Sequence, residues 1–311
     1  MDEHGGRPLV SCIITTYKRE FSMLKSAIES VRAQTYQPLE WYVVSDNAPD
    51  SEYAKQVAEG MREYPDGHLI QLPKNSGAQV ARNTGILQSR GEFIACLDDD
   101  DLWTPEKIEK EMALFTDSDI GVAFCGGYIF LESIDSVTGL YRPPNAYKES
   151  PTFRDMLYDD YVGSTSQPVI RRAALAQTGL FDTALKARQD YEMWLRISRD
   201  YRLRGTPERL FYYRRHEGEQ ISKNPEVSIR SNMQVFRKYK ADYRKNRECA
   251  AGLLFRVSRV CSAAGQPLRA FHYRFLSFCY HPVRWAKLRL RYANPRLYHR
   301  VAGDQPSGKE A

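Results

Sequence analysis

The chain is most constrained where an apolar run, Phe93, Ile94, Ala95, Cys96 and Leu97, breaks without transition into four consecutive aspartates, Asp98 to Asp101, followed by Leu102 and Trp103. A short continuous apolar run reads as a strand buried on both faces, which places the acidic run in the loop at its C-terminal end. Adjacent carboxylates repel one another, so the cluster needs something to neutralise it. A hard divalent cation with oxygen ligands does this well. Mg²⁺ or Mn²⁺ takes one or two carboxylates and completes its shell with water and substrate phosphates. The plainer reading is a solvated loop whose acids cap a helix starting near Pro105. The buried strand in front of the cluster favours the ligand reading, because open α/β sheets bind ligands at the C-terminal ends of their strands.

The remaining pattern repeats strand and helix. Residues 9–15 predict a buried first strand, followed by a loop holding Thr16, Tyr17, Lys18 and Arg19. Residues 21–34 have helical spacing, with Leu24, Ala27, Ile28 and Val31 on one face. Residues 39–45 predict a second strand ending in the turn-rich loop from Asp46 to Asp50. A helix over 53–64, a short strand over 68–72 and a helix over 76–89 lead to the acidic strand. After it come a helix over 105–115 and a strand over 120–131. Residues 132–151 have loop composition, 191–200 predict a helix and 209–213 a strand. Such alternation implies an α/β fold with a mostly parallel sheet and helices on both faces.

The net charge of +6 hides an asymmetry. From Pro225 onward 18 Lys/Arg face 5 Asp/Glu, so the first part is acidic and the tail basic. The sequence divides on this basis into a domain over 1–225 and a basic, aromatic-rich helical extension over 226–311. No apolar run is long enough to span a bilayer, and the N-terminal residues lack an apolar signal core. The six cysteines are scattered without a C-x-x-C pair, which argues against a zinc site or a disulfide framework and for reduced thiols in a cytoplasmic protein.

Five segments in order carry a family resemblance: VSCIITTYKR, VVSDNAPD, KNSGAQVARNTGI, CLDDDDLW and ARQDYEMWLRIS. Together they resemble glycosyltransferase family 2 with its GT-A fold, over roughly residues 8–220. Five ordered segments are far more specific than one acidic motif. The resemblance implies an inverting, metal-dependent transferase. It would move a sugar from a nucleoside diphosphate sugar, most simply UDP-linked, to a hydroxyl of a glycan or lipid-linked acceptor, as in cell-envelope polysaccharide biosynthesis.

It also implies roles. Thr15 and Tyr17 would line the base pocket, and Asp46 would accept a hydrogen bond from the base. Arg82 would reach the nucleotide, where a planar, permanently charged guanidinium suits phosphate. Asp98 and Asp100 would form the D-x-D pair, Asp100 on the metal and Asp98 on ribose or metal water, with Asp99 supporting them on the nucleotide side. Asp190 would be the general base, with Glu192 in reserve. His216 would contact diphosphate or metal. The chain departs from the pattern at Ser45, Asn47 and Ala48 in the second loop. It departs again at Gln189, where the family carries Glu.

Two other readings stay open at this stage. A nucleotidyltransferase shares a similar sheet and acidic site, but TTYKRE has no phosphate-cradling glycine. A non-catalytic glycan-binding relative would not need Asp98, Asp100 and Asp190. The tail, particularly residues 281–300, suits peripheral contact with the inner face of a membrane, or packing within the protein, including as a homodimer. No nucleic-acid-binding module is present.

Overall fold

The computed structural model describes residues 6–132, 134–141, 147–215 and 224–293. The strands described are β1 (Val10–Thr16), β2 (Leu39–Ser45), β3 (His68–Gln71), β4 (Phe93–Asp98), β5 (Leu102–Trp103), β6 (Ile120–Phe130), β7 (Val137–Tyr141), β8 (Val169–Arg171) and β9 (Arg202–Arg214). They form one sheet in the order β3-β2-β1-β4-β8-β6-β9-β5, with β7 added to β6. β1, β2, β3, β4, β6 and β9 point one way, while β5, β7 and β8 run against them. The sheet is therefore mostly parallel, as the alternation predicts.

The helices described are α1 (Phe21–Arg32), α2 (Glu52–Gly60), α3 (Ala78–Gln88), α4 (Lys107–Met112), α5 (Phe153–Tyr158), α6 (Arg172–Thr178), α7 (Gln189–Ile197), α8 (Pro225–Lys238), α9 (Lys240–Lys245), α10 (Arg247–Ala263), α11 (Pro267–Tyr280) and α12 (Pro282–Ala293). By compactness the chain divides into two units. The first holds Met1–Met156, Asp160–Leu185 and Gln189–Gly218, and the second holds Leu157–Asp159, Lys186–Arg188 and Glu219–Ala311.

In the first unit β1 is buried along its whole length, which is why its sequence is an unbroken apolar and small-polar run. Successive strand residues face opposite sides of the sheet. Cys12 and Ile14 join a core cluster with Leu24, Ala27, Ile28 and Val31 of α1. Ile13 faces α3 on the other side, and a Cβ added to Gly85 would meet Ile13 Cγ2 at 2.4 Å. Glycine lets that helix backbone lie directly on the sheet. Gly77, just before α3, has φ +96°, a conformation that L side chains rarely adopt.

The sequence reading differs from the structure in several places. The helix expected over 105–115 is confined to α4, and before it Leu102 and Trp103 leave the acidic loop to pair with Tyr212 and Phe211 of β9. The expected loop over 132–151 contains β7, an antiparallel partner of β6. The last strand starts at Arg202 rather than Arg209; its first half carries Arg202, Arg204 and Glu208 and so lacks an apolar run. β8, α5 and α6 were too short to give a periodic signal.

The second unit is built around α10, which buries Cys249, Ala250, Ala251, Leu253, Leu254, Val257 and Cys261. Tyr243 donates its hydroxyl to the carbonyl of Leu157, and the Arg284 guanidinium lies 4.4 Å from the Tyr158 ring centre.

Candidate active site

The four aspartates follow directly from β4, whose Asp98 lies beside Thr15 of β1 in parallel register. Their environments differ. The side chains of Asp98 and Asp100 keep 32% and 18% exposure, while that of Asp99 keeps 6% and Asp101 is buried. The loop is fixed from several directions. The Asp98 amide donates to Ser166 Oγ at 3.1 Å, and Thr165 Oγ1 donates to Asp98 Oδ2 at 3.3 Å. Trp103 Nε1 donates to the Ser166 carbonyl at 2.7 Å. The Arg214 amide donates to Asp101 Oδ1 at 3.0 Å, and Arg214 Nε donates to the Asp100 carbonyl at 3.0 Å.

Two guanidiniums offset the acidic charge. Arg82 Nη2 donates to Asp98 Oδ1 at 2.5 Å. Arg19 spans the next two residues, with Nε on Asp99 Oδ1 at 3.1 Å and Nη2 on Asp100 Oδ2 at 2.8 Å. Burial lowers the affinity of both guanidiniums for their protons. The aspartates outweigh it and hold both above their ordinary values. Burial pushes Asp99 up to about 6 despite Arg19. Asp101 is raised further by burial and by the charges of Asp100 and Asp98.

Arg82 stands on α3 among residues that shape the site. Gln79 and Asn83, on the same helical face, hold the chain that leads toward α7. Gln79 Nε2 donates to the Leu185 carbonyl at 2.6 Å, and Asn83 exchanges hydrogen bonds with the backbone of Phe181 at 2.9 and 3.0 Å. Arg82 itself is buried and lies 5.6 Å from the Phe181 ring centre. Among the described residues, no acceptor meets its Nε or Nη1.

Asp190 is the second residue of α7 and is half-buried. Its Oδ1 accepts from the Tyr191 amide at 2.7 Å, and its charge contributes to holding Arg82 protonated. The helix behind it is anchored. Trp194 is buried with Nε1 on the Gly163 carbonyl at 2.9 Å, and the Tyr191 hydroxyl donates to the Met156 carbonyl at 2.6 Å. Glu192 is fully buried, with Arg196 Nη2 at 3.3 Å.

The structure thus brings Thr15, Arg82, Asp98, Asp99, Asp100 and Asp190 into one region. Thr15 is buried and Tyr17 exposed, with the Lys18 ammonium 5.4 Å from the Tyr17 ring centre. Asp46 is buried, and its carboxylate receives the amides of Ser76 at 2.7 Å and Gly77 at 2.8 Å. It therefore shapes the loop that opens α3. Asn47, one of the departures from the family pattern, accepts from the Lys18 amide at 2.8 Å and donates to Ser45 Oγ at 3.2 Å. That contact steadies Lys18, whose φ is +49°. His216 lies outside the described residues.

Sequence reasoning gave no individual role to Arg19, Thr165, Ser166 or Arg214. Arg19 was discoverable as a cation in the loop after the first strand. Thr165 and Ser166 sit in a stretch without periodicity, whose shape the sequence does not give. A separate cavity of about 730 Å³, lined by Arg7, Tyr36, Glu92, Glu109 and Arg171 among others, lies at the opposite ends of β1 and β4 and shares no residue with this cluster.

Comparison with known proteins agrees with the geometry. Residues 11–179 match the family model described as glycosyl transferase family 2. The protein named "Putative colanic acid biosynthesis glycosyl transferase WcaA", from Escherichia coli (strain K12), is 31% identical over 252 residues, covering 78% of this chain and 82% of its own length. Among solved structures, the mannosyltransferase PcManGT from Pyrobaculum calidifontis, in complex with GDP-Man and Mn²⁺, superposes with a TM-score of 0.63 at 17% identity, covering 96% of this chain and 84% of the other. S. aureus TarS 1-349 in complex with UDP-GlcNAc gives 0.59 at 18% identity, covering 92% of each. The family model spans over half of the sequence and includes the acidic loop and α3, so the chain belongs to glycosyltransferase family 2 and is a glycosyltransferase with the GT-A fold.

Proposed function

We propose that the chain is an inverting glycosyltransferase that uses a nucleoside diphosphate sugar, with UDP as the nucleotide, and transfers the sugar to a hydroxyl of a glycan or lipid-linked acceptor. The observation that carries this reading is Arg82. One nitrogen of its buried guanidinium pairs with Asp98, and two further nitrogens meet no acceptor among the described residues, at the end of the strand where a ligand would lie. Buried donors without partners are rare and costly, and phosphate oxygens would satisfy them. TarS is solved with UDP-GlcNAc and PcManGT with GDP-Man, so relatives of this fold bind nucleotide sugars with either base.

Asp98 and Asp100 fit a divalent cation, Mg²⁺ or Mn²⁺. They are the more exposed of the four carboxylates, and two carboxylates leave room for water and diphosphate oxygens in the shell. Among the described residues, no group of three or more His, Cys, Asp or Glu forms a complete ligand set. When bound, the cation would supply positive charge to the departing diphosphate. Arg82 and Arg19 add their own charge there. Asp190 takes the proton of the acceptor hydroxyl as its oxygen bonds to the anomeric carbon and the bond to the nucleoside diphosphate breaks. Attack opposite the leaving group inverts the anomeric centre. WcaA is named for colanic acid biosynthesis, which fits a polysaccharide acceptor.

The test is hydrolysis of a panel of UDP-, GDP- and dTDP-sugars with Mn²⁺ or Mg²⁺, wild type beside Asp100→Ala, with nucleotide binding by calorimetry in parallel. One donor consumed only with metal, and lost in Asp100→Ala, is the expected result. Failure of every nucleotide to bind would overturn the reading.

A further inference from the structure

We propose that the outward face of α11, continued onto α12, docks on an anionic lipid bilayer. Leu268, Phe271, Phe275 and Phe278 recur along α11 at helical spacing and are 85%, 69%, 55% and 43% exposed. The opposite side of the helix carries Ala270 and Ser277, both buried, and Ser277 Oγ donates to the Ala251 carbonyl of α10 at 2.8 Å. α11 is therefore held on its small-residue side and presents its large apolar side outward. The row is continuous. The Phe271 and Phe275 rings are nearly parallel with centroids 6.5 Å apart, and Phe278 meets Trp285 of α12 edge-on at 5.4 Å. Val283, 62% exposed, extends it. Such contiguous exposed apolar surface marks an interaction site.

Charge selects the occupant. Residues 267–293 contain six Lys/Arg and no Asp/Glu. Arg269 and Arg284 are partnered by Glu226 at 2.6 Å and Glu248 at 3.9 Å, while Lys287 and Arg289 stand exposed beside the apolar row. A symmetric dimer through this face would bring two copies of the same positive charge together. An anionic membrane surface complements it, with phenyl rings entering the headgroup boundary and basic side chains meeting lipid phosphates. No described helix is long and apolar enough to cross a membrane, so α11 would lie along the surface. The sequence reading favoured residues 281–300 for such contact; the structure moves the apolar part to α11. This surface is independent of the donor chemistry.

The experiment is co-sedimentation of the full chain with vesicles of phosphatidylcholine alone or mixed with phosphatidylglycerol. Wild type is compared with Phe271→Ser/Phe275→Ser and with Lys287→Glu/Arg289→Glu. Wild type is expected to bind the anionic vesicles at least about tenfold better than the neutral ones, and to lose binding as salt rises. Each double variant should bind at least about tenfold less while hydrolysing donor at the wild-type rate. Equal binding to both vesicle types, or undiminished binding by both variants, overturns the proposal. So does a wild type that ignores vesicles and instead forms a dimer that Phe271→Ser/Phe275→Ser dissociates. The charge-reversal pair keeps the test valid if the phenylalanine variant fails to fold.

Discussion

Arg82 Nη2 meets Asp98 Oδ1 at 2.5 Å from a helix whose next residue, Asn83, and whose Gln79 hold the chain leading to Asp190. One turn of α3 thus links the acidic loop to the chain leading to Asp190, the proposed base. Asp98, Thr165 and Ser166 close this arrangement from the other side.

Replacing Arg82 separates its two roles. Arg82→Met leaves the Asp98 charge without its closest cation and should destabilise the fold by about 3 kcal/mol. Donor affinity should fall at least about tenfold, the scale of one lost charge-assisted hydrogen bond. Arg82→Lys restores a charge near Asp98 but not the planar fork, so stability should recover more than donor affinity. Thermal unfolding and calorimetry with the donor check both. Wild-type donor affinity in Arg82→Met would rule out a phosphate role.

Asp190→Asn keeps a side-chain oxygen for the Tyr191 amide but removes the carboxylate proposed as the base. Transfer to acceptor should fall by about 10²- to 10⁴-fold, the usual contribution of a positioned proton acceptor. Donor binding should be unchanged. The decisive comparison is single-turnover transfer against donor titration. Parallel losses in both would make Asp190 a binding residue instead.

Strands β1, β2, β4 and β6 were legible because each is a largely buried apolar run. Parallel strands buried on both faces leave this mark on sequence directly. The candidate site was legible where chemistry clusters in sequence, as at Asp98 to Asp101 and at Arg82. Arg19, Thr165, Ser166 and Arg214 contact the acidic loop from 80, 67, 68 and 114 positions away. Only the sheet order, which sets β8 beside β4, brings the Thr165 segment to Asp98. β5 and β8 are strands of two and three residues, below the length at which alternation can be read. The outward row on α11 is invisible in composition, because exposure depends on which side α10 covers.

A buried ion pair supports the acidic loop from below. Lys107 Nζ lies 2.7 Å from Glu111 Oε2 with both side chains fully buried, and 4.4 Å from the Trp103 ring centre. Burial raises Glu111 more than Lys107 lowers it. Lys107→Met alone strands a buried carboxylate and should cost about 3–5 kcal/mol. Lys107→Met/Glu111→Leu removes both charges and should unfold within about 1 kcal/mol of wild type, or later. Urea denaturation of wild type, Lys107→Met, Glu111→Leu and the double variant measures the coupling. Additive losses would show that the two charges do not act as a unit.

Glu40 supplies a pH-dependent contribution far from the chemistry. Its Oε1 accepts from Ser11 Oγ at 2.7 Å and from the amides of Arg90 at 2.6 Å and Gly91 at 3.1 Å, tying β1 and β2 to the turn before β4. Burial acts to raise its pKa, but these donors together outweigh burial and leave it below the ordinary 4.5. Because the folded value is the lower one, the unfolded chain takes up the proton first as pH falls. The stabilisation is therefore complete above about 4.5 and is lost as pH drops through the folded value. Glu40→Gln should lower stability at pH 7 by about 1–3 kcal/mol, as expected for lost charge-assisted bonds, and should flatten the acid limb of the stability curve. Thermal melts from pH 7 down to the acid transition read both effects. An unchanged acid limb in Glu40→Gln would assign the acid sensitivity to other carboxylates.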